Sequence, residues 1–331
     1  MRKKKFLALM LTVAMGLFLF AGCGNNSGKN NKKEAKNPKE INITYVKAPL
    51  NVPSILEKND NLFEKEFSKD GIGVKFHEIT SGPDQTAALA AGELDFLHAL
   101  GGTSAILAAS NGVDLKILNV YSRAPKGFMI LTKDKKIKNV KDLKGKKIAG
   151  PKGTVLHQLL VSALDKNGMS IKDVKFVNMG IPEASAALSN GSVDAALLAG
   201  PAALKAENNG AKLVVNGEGL VDGTIVTAVS GKFLNEHPDF VKRFEKVHSE
   251  TIEYMKKNKD KVIKETAKEV GLTDKETREM YSWYNFDPQI TKSDIKDLEK
   301  TQDFLIKNGM QKKKIDINSK IGRASCRERV S

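Results

Sequence analysis

The chain has 331 residues, of which 40% are hydrophobic and 28% are charged, which excludes collagen-like, mucin-like and wholly disordered proteins. Its length suits two folded domains of roughly 100–200 residues each. The net charge of +15 would suit a nucleic-acid-binding protein, but aromatic residues make up only 6% of the chain, with a single tryptophan, and leave little material for stacking on bases.

The first 23 residues have the pattern of a targeting segment. Residues 2–5 are basic, and residues 6–21 form an apolar run that is short for a membrane-spanning helix but typical of a signal peptide. The run ends in Phe20-Ala21-Gly22-Cys23, which resembles the lipobox of bacterial lipoproteins, although leucine is usual where Phe20 stands. The resemblance implies a diacylglyceryl anchor, of the palmitate-bearing type, on Cys23. The alternative is an ordinary signal peptide with an incidental cysteine.

A polar segment follows the cysteine. Residues 24–40 contain no apolar side chain larger than alanine or proline, so the segment cannot bury enough surface to become ordered. We expect a disordered tether between the anchor and a folded body.

The body begins with alternating strand and helix patterns. Short runs rich in β-branched residues predict strands, and the longer segments between them open on proline or glycine, which is typical of helix starts. Strands are predicted at residues 41–46, 73–79, 94–99 and 115–120, and helices at 53–67, at 83–91 and from 101 onward. This order favours a mainly parallel sheet that is covered by helices on both faces.

A second round of the same pattern begins near residue 128. Strands are predicted at residues 128–132, 147–150, 174–178, 193–198 and 212–216, and helices at 153–167, at 182–189 and from 200 onward. The two rounds share an internal repeat, because Ala-Ala-Leu-x-x-Gly-x-x-Asp at residues 87–95 recurs at residues 186–194. A repeat of this length indicates two lobes of similar build.

Beyond residue 227 the pattern predicts helices alone. Residues 238–258 place an apolar stripe on one face, with His248 in it, and that histidine is expected in the core. Two further helices are predicted at residues 273–284 and 292–307, with threonine or serine at their N-caps. We expect all three to pack on the first lobe.

The last eleven residues differ in composition from what precedes them. Residues 321–330 (IGRASCRERV) resemble the in-frame translation of a common sequencing-library adapter, and the alternative is a genuine basic tail. The two cysteines are Cys23 and Cys326, so we expect neither a disulfide nor a cysteine-based metal site. The signal, tether and tail carry nine of the fifteen net charges, and a body with about +6 does not support nucleic-acid binding.

Several short motifs occur together in one order. The motifs are Tyr45-Val-Lys, Ser81-Gly82-Pro83, Ala88-Leu89-x-x-Gly92-x-x-Asp95, Asp142-Leu143-Lys144-Gly145, Lys152-Gly153-Thr154 and Gly191-Ser-Val-Asp194. In that order and spacing they resemble the substrate-binding lipoproteins of ABC importers, in the group that handles aliphatic sulfonates, taurine, nitrate and related small solutes.

The resemblance implies the two-lobe α/β fold of periplasmic binding proteins. Two α/β lobes, each a mainly parallel sheet flanked by helices, are joined by two crossing segments near residues 121–128 and 220–226. Lobe 1 would take residues 41–123 and 226–320, and lobe 2 residues 124–225. A small anionic solute would be captured in the cleft by closure of the lobes and delivered to a membrane permease with its ATPase. The protein would be monomeric and held on the outer face of the cytoplasmic membrane, or on its periplasmic side.

A physical argument also predicts that the ligand binds in the cleft between the lobes. In open α/β sheets ligands bind beyond the carboxyl ends of the strands, where helix N-termini offer free N–H groups to an anion. We expect glycines and threonines at helix starts to be the main contacts of the solute, and nearby polar side chains to be the next candidates. These candidates are Gly102, Thr103, Thr154 and Gly200, followed by Ser81, Gln85, Asn51 and His157.

The sequence does not decide the roles of several other residues. Arg123 lies by the first crossing, where it would clamp a carboxylate or sulfonate or form an ion pair at the hinge. His77, His98 and His237 show no metal-ligand spacing, and no metal or cofactor is expected. Residues 198–203 (LAGPAA) lack the aromatic and acidic residues often found there in sulfonate-binding relatives, so we expect a ligand other than an alkanesulfonate, and one that is bulkier at that wall.

Two rival functions remain. The same fold carries biosynthetic enzymes of thiamine-pyrimidine and menaquinone metabolism, but the sequence has no nucleophile elbow, no zinc-protease motif and no phosphate-binding loop. We therefore expect no catalytic residue. A lipid-anchored sensor module is the third interpretation.

Overall fold

The computed structural model describes residues 36–322. The predicted signal peptide with Cys23, residues 24–35 of the predicted tether and residues 323–331 of the tail lie outside the described residues. Within residues 36–322, none of the helices has the length and apolar character needed to cross a membrane.

The first part of the body alternates strands and helices. Its elements are β1 (Glu40–Thr44), α1 (Val52–Asn59), α2 (Leu62–Phe67), β2 (Gly73–His77), α3 (Gly82–Ala91), β3 (Phe96–Gly101), α4 (Gly102–Ser110) and β4 (Leu115–Arg123). A single predicted helix over residues 53–67 is wrong, because Asn61 adopts a left-handed conformation and separates α1 from α2.

The second part repeats the pattern. Its elements are β5 (Phe128–Thr132), β6 (Lys147–Gly150), α5 (Val155–Lys166), β7 (Lys175–Asn178), α6 (Ile181–Ser189), β8 (Ala195–Ala199), α7 (Gly200–Asn208) and β9 (Lys212–Asn216). All eight were predicted, with boundaries that differ by one or two residues where they differ at all.

The third part begins with a strand and continues as helices. Its elements are β10 (Thr224–Ser230), α8 (Gly231–Glu236), α9 (Pro238–Lys257), α10 (Lys259–Val270), α11 (Asp274–Tyr281) and α12 (Lys292–Lys307). The prediction that this part is purely helical is wrong at β10, and the sequence analysis also missed α8 and α10. Ile321 and Gly322, which were assigned to the adapter-like tail, contact Ile117 on β4 through a bridge and a 2.7 Å backbone hydrogen bond.

The strands form two separate five-stranded sheets. The sheet of lobe 1 has the order β2-β1-β3-β10-β4, and the sheet of lobe 2 has the order β7-β6-β8-β5-β9. In each sheet one strand runs antiparallel to both neighbours, namely β10 in lobe 1 and β5 in lobe 2. Both are the first strand after the chain crosses between lobes. The predicted two-lobe α/β fold with mainly parallel sheets is confirmed.

The two crossing segments, residues 124–127 and 217–223, lie side by side. Ala124 N–H donates to the carbonyl of Gly223, and Gly217 N–H donates to the carbonyl of Pro125, at 3.3 and 3.2 Å. Movement of one lobe relative to the other must therefore bend this paired connection.

The acidic residue of the internal repeat has the same role in both lobes. Asp95 accepts a hydrogen bond from the backbone N–H of Asn42 at 2.8 Å, and Asp194 accepts one from Lys147 N–H at 2.7 Å. The Asp95 and Asp194 N–H groups in turn donate to the backbone carbonyls of the same two partners. The repeated aspartate therefore joins the start of one parallel strand to the start of its neighbour, which is a structural function.

Candidate functional site

A small cavity lies between the two lobes, at the carboxyl ends of the strands. Its volume is about 90 Å³, well below the roughly 300–1,000 Å³ of pockets for drug-sized ligands. Lobe 1 contributes the segments after β1, β2 and β3, and lobe 2 those after β6, β7 and β8. This is the position that open α/β sheets favour for ligands.

Five helix N-termini meet at this cavity. The residues that line it at the starts of α3, α4, α5, α6 and α7 are Ser81, Gly82, Gly101, Thr154, Val155, Gly180, Ile181 and Ala199. Each helix start has backbone N–H groups without intrahelical partners and the positive end of a helix dipole. Their convergence makes the cavity favourable for an anion.

The polar side chains at the cavity are all uncharged. They belong to Thr80, Ser81, Gln85, Ser104 and Thr154, and none of the lining residues is a lysine, arginine, histidine, aspartate or glutamate. Gln85 is buried and donates to the carbonyl of Ile79 at 2.8 Å, while its Oε1 has no hydrogen-bond partner.

Most of the side chains that line the cavity are apolar. These apolar residues, some of them at the helix starts, are Val46, Ala48, Pro49, Ala99, Phe128, Pro151, Val155, Leu156, Ile181, Ala199 and Ile225. Strand β5 brings in Phe128 and strand β10 brings in Ile225, so both antiparallel strands reach the cavity. A ligand with an aliphatic part would bury it against this surface.

The lobes are in contact around the cavity. The Ser104 hydroxyl of lobe 1 donates to the carbonyl of Gly153 in lobe 2 at 2.9 Å, and the Thr103 hydroxyl donates to Gln158 Oε1 at 2.5 Å. Gly200 lies so close to Pro49 that a Cβ atom on it would be 1.6 Å from the Pro49 carbonyl oxygen. This is a closed arrangement of the two lobes.

Three of the predicted contact residues line the cavity. They are Ser81, Gln85 and Thr154. Gly102 and Thr103 instead line a much smaller pocket on another side of α4, and their neighbours Gly101 and Ser104 face the cavity. Gly200 directly follows the lining residue Ala199.

Asn51 and His157 make contacts outside the cavity lining. The buried Asn51 amide donates to the carbonyls of Val46 and Ala48 at 2.8 Å each, and so shapes the loop that lines the cavity. The His157 ring stacks on Phe176 at 4.8 Å and its Nδ1 accepts from Gly153 N–H at 3.3 Å. Burial, with a smaller contribution from Lys152, lowers the pKa of His157 to about 4.

Arg123 pairs at the hinge. Its guanidinium donates to both carboxylate oxygens of Asp294, at 2.6 and 2.7 Å, and to the backbone carbonyls of Asp287 and Gln289 at 2.9 Å. These bonds attach the end of β4 to the start of α12, and Arg123 is not among the cavity-lining residues. Of the two roles that the sequence left open, the contacts correspond to the hinge pair.

Comparison with known families and proteins places the chain among binding proteins. A family model described as NMT1/THI5 like matches residues 65–262. A Bacillus subtilis (strain 168) protein named for the binding of aliphatic sulfonates is 35% identical over 320 residues, covering 95% of this chain and 93% of that protein. The taurine-binding periplasmic protein of Escherichia coli (strain K12) is 30% identical over 209 residues, covering 62% of this chain and 64% of that protein.

Solved structures show the same architecture. The alkanesulfonate-binding protein SsuA from Xanthomonas axonopodis pv. citri, bound to MOPS, has a TM-score of 0.78 and 26% identity, over 87% of this chain and 99% of that one. The periplasmic aliphatic sulphonate binding protein SsuA from Escherichia coli has a TM-score of 0.70 and 24% identity, over 87% and 99%. The desulfurization enzyme DSZB has a TM-score of 0.63 at 16% identity, over 85% and 96%, and so shares the fold.

Proposed function

Because the chain belongs to the NMT1/THI5-like family and is homologous to sulfonate- and taurine-binding proteins, we propose that it is the solute-binding component of an ABC importer. In this proposal it binds an aliphatic sulfonate in the cavity between its lobes, and not the bulkier ligand expected from residues 198–203, because the cavity is small and the relatives are named for sulfonate binding. The observation that carries the ligand assignment is the convergence of five helix N-termini, two from lobe 1 and three from lobe 2, on a cavity that is also lined by apolar side chains.

The helix starts supply the affinity for the anionic group. One helix N-terminus contributes about 0.3–1 kcal/mol to binding an exposed anion and up to about 2 kcal/mol when partly buried. Hydrogen bonds to a charged group add about 1.5–3 kcal/mol each. Several such contacts, less the cost of association, account for micromolar binding without a lysine or arginine in the wall.

The neutral lining also discriminates between sulfonates. An ammonium group buried without an acidic partner is strongly unfavourable, and no aspartate or glutamate is among the cavity-lining residues. An aliphatic chain, by contrast, gains about 25 cal/mol per Å² of apolar surface that it buries on the wall. We therefore expect short alkanesulfonates to bind more tightly than taurine.

Catalysis by this cavity is not supported by its lining. The hydroxyl groups of Ser81, Ser104 and Thr154 have no histidine, lysine or carboxylate beside them within the lining set to act as a base. The curated relatives named above are binding proteins, and the enzyme with a similar structure shares the fold alone.

Isothermal titration calorimetry tests the proposal. Methanesulfonate, ethanesulfonate, butanesulfonate, taurine, sulfate and nitrate would each be titrated into the purified body. We expect micromolar dissociation constants for the alkanesulfonates and at least about tenfold weaker binding of taurine, a difference of about 1.4 kcal/mol. Binding of none of the sulfonates would overturn the assignment, and tighter binding of taurine would overturn the role of the neutral wall.

We also propose membrane attachment through Cys23 and delivery of the solute to a permease with its ATPase. The support is the lipobox-like sequence at residues 20–23 and the importer role of the homologues. Growth with an alkyne-tagged palmitate should label the wild-type protein and leave Cys23→Ser unlabelled. Equal labelling of both would contradict the anchor.

A further inference from the structure

Lobe 1 contains a cluster of three titratable side chains that the solute site does not use. Glu57 on α1, His98 on β3 and His248 on α9 are each at most 1% exposed. Glu57 Oε2 lies 2.6 Å from His98 Nε2, and Glu57 Oε1 lies 2.8 Å from His248 Nδ1. The three residues are separated by 41 and 150 positions in the sequence, which is why no motif reveals them.

The cluster brings a carboxyl group and two imidazoles together inside the protein core. None of the lysines and arginines in the described chain forms an ion pair with Glu57. A carboxyl group that is enclosed in a core without a permanently charged partner is a costly arrangement.

Aromatic rings surround the cluster. The rings of Phe244, Tyr121 and Phe63 lie 5.3, 4.9 and 6.0 Å from the His98 ring. His248 Nε2 is buried without a hydrogen-bond partner. A low-dielectric shell of this kind favours a bound cation that neutralises the carboxylate.

The donor atoms match a transition-metal site. Two imidazoles and one carboxylate are a common ligand set for Zn²⁺, and one donor atom from each residue lies within 4.8 Å of the other two. A ligating histidine normally donates its other ring N–H to a nearby acceptor. His98 Nδ1 has such an acceptor in the Thr227 hydroxyl, at 3.3 Å.

We propose that Glu57, His98 and His248 form a structural zinc site inside lobe 1, separate from the solute cavity. The carboxylate of Glu57, Nε2 of His98 and Nδ1 of His248 bind the ion. The carboxylate and the two ligating nitrogens bind the ion without protons, and any proton that they carry in the metal-free protein is released to solvent. The ion then joins α1, β3 and α9, whose neighbouring residues Val46–Pro49 and Ala99–Gly101 border the solute cavity.

The burial of the site determines how it is tested. Since the three side chains are enclosed, the ion enters during folding and does not exchange with a chelator in the native state. Tag-free protein would be unfolded in guanidinium chloride with EDTA, freed of both, and refolded with or without ZnCl₂. Bound zinc would be measured by mass spectrometry after native treatment with EDTA.

We expect about one zinc ion per chain in the refolded wild type and less than a tenth of that in Glu57→Gln. The zinc-refolded wild type should also melt at least about 5 °C above the zinc-free protein. His237→Asn, which removes a half-buried histidine outside the cluster, should still bind zinc and should show the same rise in melting temperature. Less than a tenth of an equivalent in the wild type would overturn the proposal.

A second measurement covers the possibility that Glu57→Gln does not refold. X-ray absorption at the zinc edge of the wild type should show two imidazole nitrogens with oxygen. More or fewer imidazoles would overturn the assignment. Sulfonate binding is measured separately and does not depend on this result, so the two proposals fail independently.

Discussion

At the scale of single residues, the sequence identified the correct helix starts but not their rotation. Successive residues of a helix point about 100° apart, so a shift of one position changes which side chain faces the cavity. For this reason Gly101 and Ser104 line the cavity, whereas Gly102 and Thr103 were expected to. Thr154 lines the cavity because the N-cap of α5 itself faces it, and its contact with a ligand stays a prediction.

Gly200 provides a direct test of lobe closure. It has a φ of +53°, and a Cβ atom there would overlap the Pro49 carbonyl of the other lobe. We expect Gly200→Ala to weaken sulfonate binding at least about tenfold, measured by calorimetry. Gly210→Ala is the matched control, since Gly210 has a φ of +86° but no atom within 4 Å of its virtual Cβ. Equal affinity of Gly200→Ala and wild type would contradict closure through this contact.

His157 should make the protein sensitive to acid. Its pKa of about 4 lies below the unfolded value of 6.5, so the unfolded chain takes up more protons as the pH falls. Because of this one group, the free energy of unfolding should fall by about 3 kcal/mol as the pH is lowered from 6.5 to 4. In urea titrations at pH 7 and 4.5, His157→Phe should lose less stability than the wild type. An identical loss in both would contradict the role of His157, and His237→Phe serves as the control.

At the scale of secondary structure, the alternation of strands and helices could be predicted because each element carries its own pattern. Strand β10 was missed because it follows a glycine-containing crossing and precedes a long helical region. Its position between β3 and β4 depends on partners more than 100 residues away, which local patterns do not encode. Helix α10 follows α9 after a single residue, so no loop marks its start.

The contact between the end of β4 and the start of α12 depends on one ion pair. Asp294 is 5% exposed, and hydrogen bonds from Arg123 and Thr291 hold its pKa below the usual value although burial opposes this. We expect Asp294→Asn to lower the free energy of unfolding by about 2 kcal/mol at pH 7, because Arg123 loses its charged partner. The difference from wild type should shrink as the pH falls below 3.8, the unfolded value, and through the lower pKa of folded Asp294.

Denaturant unfolding at pH 7 and 3 measures this effect. Asp297→Asn is the matched control, because Asp297 forms an exposed i,i+3 pair with Lys300 on the same helix. That substitution should change stability by less than about 0.5 kcal/mol. Equal losses for the two variants would contradict the special role of the Arg123 pair.

At the scale of the whole molecule, the closed arrangement implies that the lobes separate to admit a solute. Contacts between lobes occur near the cavity at Ser104 and Gly153 and farther away at Lys307 and Asp165, which are 2.8 Å apart. Hinge closure around a ligand shifts a population between open and closed forms. The two-lobe frame was predictable from the repeat and the family motifs, whereas the degree of closure was not, because it depends on contacts between distant segments.

Small-angle scattering should report this shift. We expect a smaller radius of gyration when a saturating alkanesulfonate is added to the wild type, since the ligand stabilises contacts between the lobes. Gly200→Ala should show a reduced change under the same conditions, and Gly210→Ala the full change. An unchanged radius for the wild type, with binding confirmed by calorimetry, would contradict the hinge mechanism.

The position of β10 in the sequence, about 100 residues after the strands that it pairs with, has a consequence for folding during biosynthesis. All five strands of lobe 2 lie between residues 128 and 216, so its sheet can form as soon as that stretch has been made. The sheet of lobe 1 stays divided, because β4 has no neighbouring strand until Thr224–Ser230 is inserted beside it. The half of the protein that begins first is thus completed last, and a chain cut off after residue 216 would contain one finished half and one unfinished half.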